Sequence, residues 1–130
     1  MSSIFSKIIA GDIPCYKVGE TQTCFALLDI NPLKKGHTLV IPKKEVDKLF
    51  ELEDQTYQEL FDFRKRIAQS IEKEFDCNRA AMAVVGLEVP HAHVHVIPID
   101  YMSDMDFGKK RVLCTPEEFQ DISQRIGRNL

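Results

Sequence analysis

The segment His91-Ala92-His93-Val94-His95-Val96 alternates imidazoles with small or branched apolar side chains, without exception. Successive side chains of a β-strand point to opposite faces, and every second residue shares a face at about 6.6–6.8 Å intervals. Alternation this strict predicts a strand over 91–98 with Ala92, Val94 and Val96 turned to a core. The opposite face carries three of the four histidines in the chain, the fourth being His37. A chain containing such a strand must build a sheet with one apolar face and one face available for chemistry.

The remaining elements suit such a sheet. Ile4, Phe5, Ile8 and Ile9 recur at helical spacing and end at Gly11, which predicts a short helix closed by glycine. Cys15–Val18, Thr23–Asp29, His37–Ile41 and Arg79–Val85 read as further strands, separated by turn-forming residues that include Asn31-Pro32 and Gly36. Tyr57, Leu60, Phe61, Arg64, Ile67, Ala68, Ile71 and Phe75 share one face of a long helix, with Asp54 as the expected N-cap. Thr115-Pro116-Glu117-Glu118 starts a second helix by capping box, and Phe119, Ile122 and Ile126 form its apolar stripe. The span 100–110 is polar and irregular, a surface loop expected to border the active site of the same or a partner subunit. Short connections favour an antiparallel sheet. The expected class is α+β: a five-stranded antiparallel sheet with one long helix and a C-terminal helix. At 130 residues the chain is one expected domain, 1–130.

Composition removes several function classes. Lys and Arg number 17 against 20 Asp and Glu, a net charge of −3, so a broad electrostatic grip on nucleic acid is not expected. A small phosphate-bearing ligand needs only a local site. The longest apolar run, Ala80–Val85, is far too short to span a membrane. The opening residues show no signal-peptide pattern, and Cys15, Cys24, Cys77 and Cys114 form no CxxC pair. Reduced thiols and a cytoplasmic location are the expectation.

Three readings of the histidines compete. A structural role, each imidazole hydrogen-bonded on a polar face, suits a lone histidine better than three in strict alternation. Metal binding is the second, because His-x-His on a strand is a good chelating pair and His37 is available as a further ligand. Nucleophilic catalysis is the third, a neutral imidazole attacking phosphorus or an acyl carbon while its neighbours fix its tautomer. On spacing alone the second and third stand level.

The string His91-Ala92-His93-Val94-His95-Val96 has the form of the histidine triad motif, in which three histidines alternate with apolar residues. Ile4–Pro14 resembles the opening of bacterial members of that family, and Leu28–Pro32 with Gly36–Lys44 resembles its central hairpin. Ile97-Pro98-Ile99 follows the triad, and Thr115–Leu130 resembles the closing helix, so the likeness covers nearly the whole chain.

The resemblance implies a homodimer whose subunits join their sheets edge to edge, acting as a nucleotidyl hydrolase or transferase on the α-phosphorus of nucleoside conjugates. It makes His93 the nucleophile that forms a nucleotidyl-histidine, with the His91 carbonyl holding the His93 Nδ1 proton. It has His95 donate to phosphate oxygens, while His37 and His91 orient the network. It gives Asp29 the ribose hydroxyls and puts Phe5, Ile8, Ile13, Leu28 and Ile30 around the base of a purine nucleotide. Glu88 and Val89, just before the triad, complete the implied nucleotide-binding set. No cofactor and no catalytic metal are implied.

Two departures from the family pattern stand out. Relatives carry an Asn and a longer loop with Gly-Gln before the triad, where this chain has Val84-Val85-Gly86-Leu87-Glu88-Val89-Pro90. Some bacterial relatives hold a structural zinc through two N-terminal cysteines, a histidine after the Lys-Lys pair and a triad histidine. Here Ser3, Ser6 and Glu45 occupy the first three of those positions, so no zinc is expected there. A phosphoramidate hydrolase is the favoured expectation. A dinucleoside polyphosphate hydrolase, a nucleotide-binding module with weak catalysis and a metal-dependent enzyme are the alternatives.

Overall fold

A computed structural model describes residues 2–130. Helix α1 (Ile4–Ile9) begins at Ser3, whose side chain accepts a hydrogen bond from the Ser6 N–H. It ends at Ala10, after which Gly11 turns the chain at φ +87, a conformation open to glycine at little cost. Strands β1 (Lys17–Glu20), β2 (Cys24–Leu28) and β3 (Thr38–Pro42) follow. Then come helix α2 (Asp54–Glu74), strands β4 (Arg79–Ala83) and β5 (Val94–Ile99), and helix α3 (Pro116–Gly127). The strands form an antiparallel sheet in the order β1-β2-β3-β5-β4. The α+β, five-stranded architecture expected from the sequence is the one observed. No helix among the described residues is long and apolar enough to cross a membrane.

Alternation sorts the sheet into two faces. Ala26, Leu28, Val40, Val94 and Val96 pack against Leu60, Phe63, Ile67 and Ile71 of α2 and Phe119, Ile122 and Ile126 of α3. Phe25, Leu27, Leu39 and Ile41 point the other way, onto Phe5 of α1. Leu39 pairs with His95 across the β3–β5 ladder, so the triad shares this second face. Truncating a side chain from the larger, α2-covered core to alanine costs about 2–5 kcal/mol.

The long helix departs from expectation in two details. Its N-cap is Glu53, not Asp54, and the Glu53 side chain caps no backbone amide. It accepts instead from Thr56 Oγ1 at 3.0 Å. The buried stripe runs through Thr56, Leu60, Phe63, Ile67, Ser70 and Ile71. Phe63 stands three residues after Leu60 and four before Ile67, which puts it at the centre of the face. Tyr57, Phe61, Ala68 and Phe75 pack at the margins, and Arg64 lies over the Phe61 ring. The capping box at Thr115 and Glu118 forms as the sequence predicts.

Both strands around the triad are shorter than expected. β4 stops at Ala83, and β5 begins only at Val94, leaving His91 and His93 before the ladder. The last β3–β5 rung joins Val40 to Val94. Continuing it would use Pro42, which has no N–H to give, and the Pro42 carbonyl is already taken by the His91 ring. The Ala92 N–H bonds the Val46 carbonyl at 2.7 Å instead. Alternation survives the loss of pairing: Ala92 still joins the α2-side core while the histidines face away from it.

Candidate active site

The three triad rings form a row on the open face of the sheet. His93 and His95 have ring centroids 5.1 Å apart. Phe5 of α1 closes one end of the row, edge-on to His91 at 5.7 Å and His93 at 5.1 Å. Phe107 closes the other, 4.9 Å from His95 and 6.4 Å from His37. All four histidines are buried, but unequally: His91 is 0% and His37 1% exposed, against 7% for His93 and 8% for His95. Solvent, or a ligand, therefore meets His93 and His95 only.

Hydrogen-bond partners of fixed character assign every proton. His37 Nδ1 receives the Leu33 N–H at 3.0 Å, so its proton is on Nε2. That nitrogen donates to His95 Nδ1 at 2.9 Å, which leaves the His95 proton on Nε2, facing out. His91 Nε2 donates to the Pro42 carbonyl at 2.8 Å and its Nδ1 accepts from Ser3 Oγ at 2.7 Å. His93 Nδ1 donates to the His91 carbonyl at 2.8 Å. In the neutral ring its Nε2 carries the lone pair. The row thus presents one nucleophilic nitrogen, on His93, beside one N–H donor, on His95.

Electrostatics keep His37, His91 and His95 neutral. Burial, then the neighbouring His95 and Arg111, push His37 down to about 3. Burial, then His93 and Arg111, push His95 down to about 4. Burial also lowers His91, partly offset by its bond to the Pro42 carbonyl. Desolvation disfavours the charged form of each ring. The 3.5 Å contact between His37 Nε2 and Asp29 Oδ2 is accordingly not an ion pair near neutral pH.

Asp29 follows β2 and sits half-buried, its Oδ1 accepting the Asn31 N–H at 2.8 Å. Burial raises its carboxyl, opposed by the Asn31 amide and by Arg111 and reinforced by Glu88. Glu88, exposed in the loop before the triad, thus lies close enough to act on Asp29. Gly36, just before His37, has φ +102 and lies against Phe75, which a Cβ would approach to 3.0 Å. It carries the chain into β3 with the His37 ring aimed at His95.

The structure brings together most of the residues singled out from sequence. Phe5, Ile8 and Val89 pack in one cluster beside the triad. Ile13 is half-buried, and Ile30 is 65% exposed next to Asp29. Leu28 is the exception: it packs in the α2-side core, on the far face of the sheet. Leu27 takes the place expected of it, in the cluster with Phe5. Parity would have found it, because Leu27 is two residues from Asp29 and shares its side of the strand. The 100–110 loop does border the triad, through Phe107. Arg111, just beyond it, is pinned by the Asn31 and Phe107 carbonyls at 2.8 and 3.1 Å. No periodicity marks either residue.

Two metal sites can be tested on donor chemistry. Asp29, His37 and His95 offer ligand atoms within 4.8 Å of one another. A cation on His37 Nε2 would displace that ring's proton while the Leu33 amide blocks Nδ1, leaving a buried imidazolate. The donor set does not suit a metal held by all three. At the second site, Ser3, Ser6, Glu45 and His91 are bonded among themselves. Structural zinc takes thiolate and imidazole ligands, and two serine hydroxyls do not replace thiolates.

Comparison with known proteins gives a consistent picture. The chain is 34% identical over 132 residues to the adenosine 5'-monophosphoramidase of Schizosaccharomyces pombe, covering 100% of this chain and 99% of that protein. A HIT-like protein from Bartonella henselae superposes with a TM-score of 0.86 at 27% identity, over 99% of this chain and 96% of that one. A zinc-bound histidine triad family protein from Mycobacterium smegmatis superposes with a TM-score of 0.80 at 25% identity, over 99% and 93% of the two chains. The HIT domain family model matches residues 10–102, a span that contains Asp29, His37 and the whole triad, and the chain belongs to that family.

Proposed function

We propose that this chain is a nucleotidyl hydrolase, acting on the α-phosphorus of nucleoside 5'-phosphoramidates or related purine nucleotidyl conjugates. The observation that carries the reading is the 2.8 Å bond from His93 Nδ1 to the His91 carbonyl, which in the neutral ring leaves the lone pair on Nε2. An imidazole poised in this way is a nucleophile needing no prior deprotonation. The activity named for the fission-yeast relative is of the same class.

In this reading His93 Nε2 bonds to phosphorus as the P–N bond breaks, and the amine leaves with the bonding pair, taking a proton from solvent. The nucleotidyl-histidine carries an imidazolium whose Nδ1–H stays on the His91 carbonyl. Water then attacks the same phosphorus and gives a proton back to solvent, the N–P bond returns its electrons to Nε2, and nucleoside monophosphate is released. His95 Nε2–H donates to the phosphate oxygens as their charge grows, the kind of preorganised donor that lowers such barriers. His37 holds His95 in that tautomer. Asp29 takes the ribose hydroxyls on its Oδ2, since Oδ1 is occupied by the Asn31 amide. Phe5, Ile8, Ile13, Leu27, Ile30 and Val89 surround the base. No cofactor enters.

The chain acts as a homodimer in this reading. β4 is an edge of the sheet, and Met82, Val84 and Val85 on and after it are exposed, the kind of edge that a second copy covers. A nucleotide-binding module with weak catalysis is the second reading. The loop before the triad favours it, because Leu87 there is 88% exposed and brings no polar group to the site. Turnover of an adenosine phosphoramidate, a diadenosine polyphosphate and AMP binding, measured side by side, separate the readings. Rapid phosphoramidate turnover supports the proposal, and tight AMP binding without turnover of either conjugate overturns it.

A further inference from the structure

His91 is the most buried of the four histidines, and neither ring nitrogen is free for a substrate. Its contribution to the site is a backbone carbonyl, and that carbonyl stays in place only if the ring does. One side of the ring is tied to the Pro42 carbonyl at the end of β3. The other is tied to Ser3, 88 residues earlier in the chain.

Ser3 is held from three directions. Its backbone N–H donates to Glu45 Oε1 at 2.6 Å, and its Oγ accepts the Ser6 N–H at 3.1 Å while donating to His91 Nδ1. Ser6 Oγ donates to the same Glu45 oxygen at 2.7 Å. These bonds, the Ser3 amide first, hold the Glu45 carboxyl below its ordinary range. The Pro42 and Ser3 bonds leave His91 a single tautomer, with its proton on Nε2. The same short helix that begins at Ser3 carries Phe5 against His93.

We infer that Ser3 and Glu45 are positioning residues for the His93 nucleophile: they lock the His91 ring, and through it the carbonyl that holds the His93 Nδ1 proton. The inference rests on the reading of His93 as nucleophile. Without the Ser3 hydroxyl, His91 Nδ1 becomes a buried acceptor with no donor, and the ring is free to exchange tautomer or rotate. The His91 carbonyl then shifts, and His93 spends time with its lone pair on the wrong nitrogen. Ser3 is not among the residues assigned to the base or the ribose, so nucleotide affinity is expected to change little. Glu45 acts one step further out, by fixing the Ser3 backbone.

The test measures kcat and KM on an adenosine phosphoramidate for Ser3→Ala, Glu45→Ala and His93→Ala. It also records the ring 15N shifts of His91 and His93 in the first two. Ser3→Ala is expected to lower kcat roughly tenfold with KM within about twofold, and Glu45→Ala to lower it less. The His91 shifts of Ser3→Ala are expected to leave the pure Nε2–H pattern. Unchanged shifts overturn the clamp whatever happens to turnover. Changed shifts with wild-type kcat, beside an inactive His93→Ala, overturn its role in positioning. An active His93→Ala would instead sink the nucleophile reading, leaving the clamp to be judged on the shifts alone.

Discussion

The backbone N–H of Leu33 donates to His37 Nδ1 at 3.0 Å. That bond sets the protonation of two residues in turn, because an occupied Nδ1 forces the His37 proton to Nε2 and hence the His95 proton outward. An amide in the turn before β3 thereby decides what His95 offers a phosphate, and it removes His37 Nε2 from the ligands open to a metal.

Holding His37 and His95 neutral makes folding stability depend on pH. Both folded values, about 3 and about 4, lie below the ordinary histidine value near 6.5. A group whose folded pKa is depressed resists protonation only when folded, so acid favours the unfolded chain. The contribution of the pair is complete above about pH 6.5 and falls as pH drops toward 4, by about 1.4 kcal/mol per histidine per pH unit at most. Asp29, raised by burial, works in the opposite sense. Urea unfolding from pH 7 to 5 will show falling stability before the carboxylates Glu20 and Glu74, held at about 2, begin to protonate. A flat profile over that window would contradict neutral burial of the pair.

Asp29 is expected to govern affinity more than rate. Asp29→Asn keeps the shape but weakens the acceptor facing the ribose and removes a charge. KM for a ribonucleoside phosphoramidate should rise roughly tenfold, as expected for a lost charge-assisted hydrogen bond, with kcat much less changed. The same variant should lose most of its preference for ribo- over 2'-deoxy-substrates. Steady-state kinetics on the two substrates check both points, and an intact ribose preference would remove Asp29 from the sugar site.

Gly36 is a test of the scaffold. Gly36→Ala places a Cβ at a φ of +102 and 3.0 Å from the Phe75 ring. Thermal or urea denaturation should show a loss of about 1–3 kcal/mol. Because His37 follows directly, the residual folded protein should also turn over more slowly.

The sequence was most informative where one physical rule acted alone. Strict alternation marked the two faces of His91–Val96, and the capping box marked the start of α3 at Thr115. Alternation did not reveal that only His95 of the three enters the ladder, because Pro42, on a strand more than fifty residues away, ends the pairing. Helical spacing found α2 but missed Phe63, since Tyr57 and Phe61 repeat at almost the same period along the edge of the buried stripe. Leu28, which the resemblance puts at the base, packs on the far face of the sheet, because its side chain alternates with those of Leu27 and Asp29. Phe107 and Ser3 reach the triad, and Arg111 the Asn31 and Phe107 carbonyls beside it, through tertiary contacts that no local pattern encodes.

The account rests most directly on His93, and one comparison tests it: turnover and AMP affinity of His93→Ala against wild type. Loss of essentially all phosphoramidate turnover, with the affinity for AMP held within about threefold, is the predicted result, since the lone pair is required in the transition state and much less for binding. A His93→Ala protein that still hydrolyses the substrate at the wild-type rate would contradict the nucleophile and the mechanism built on it.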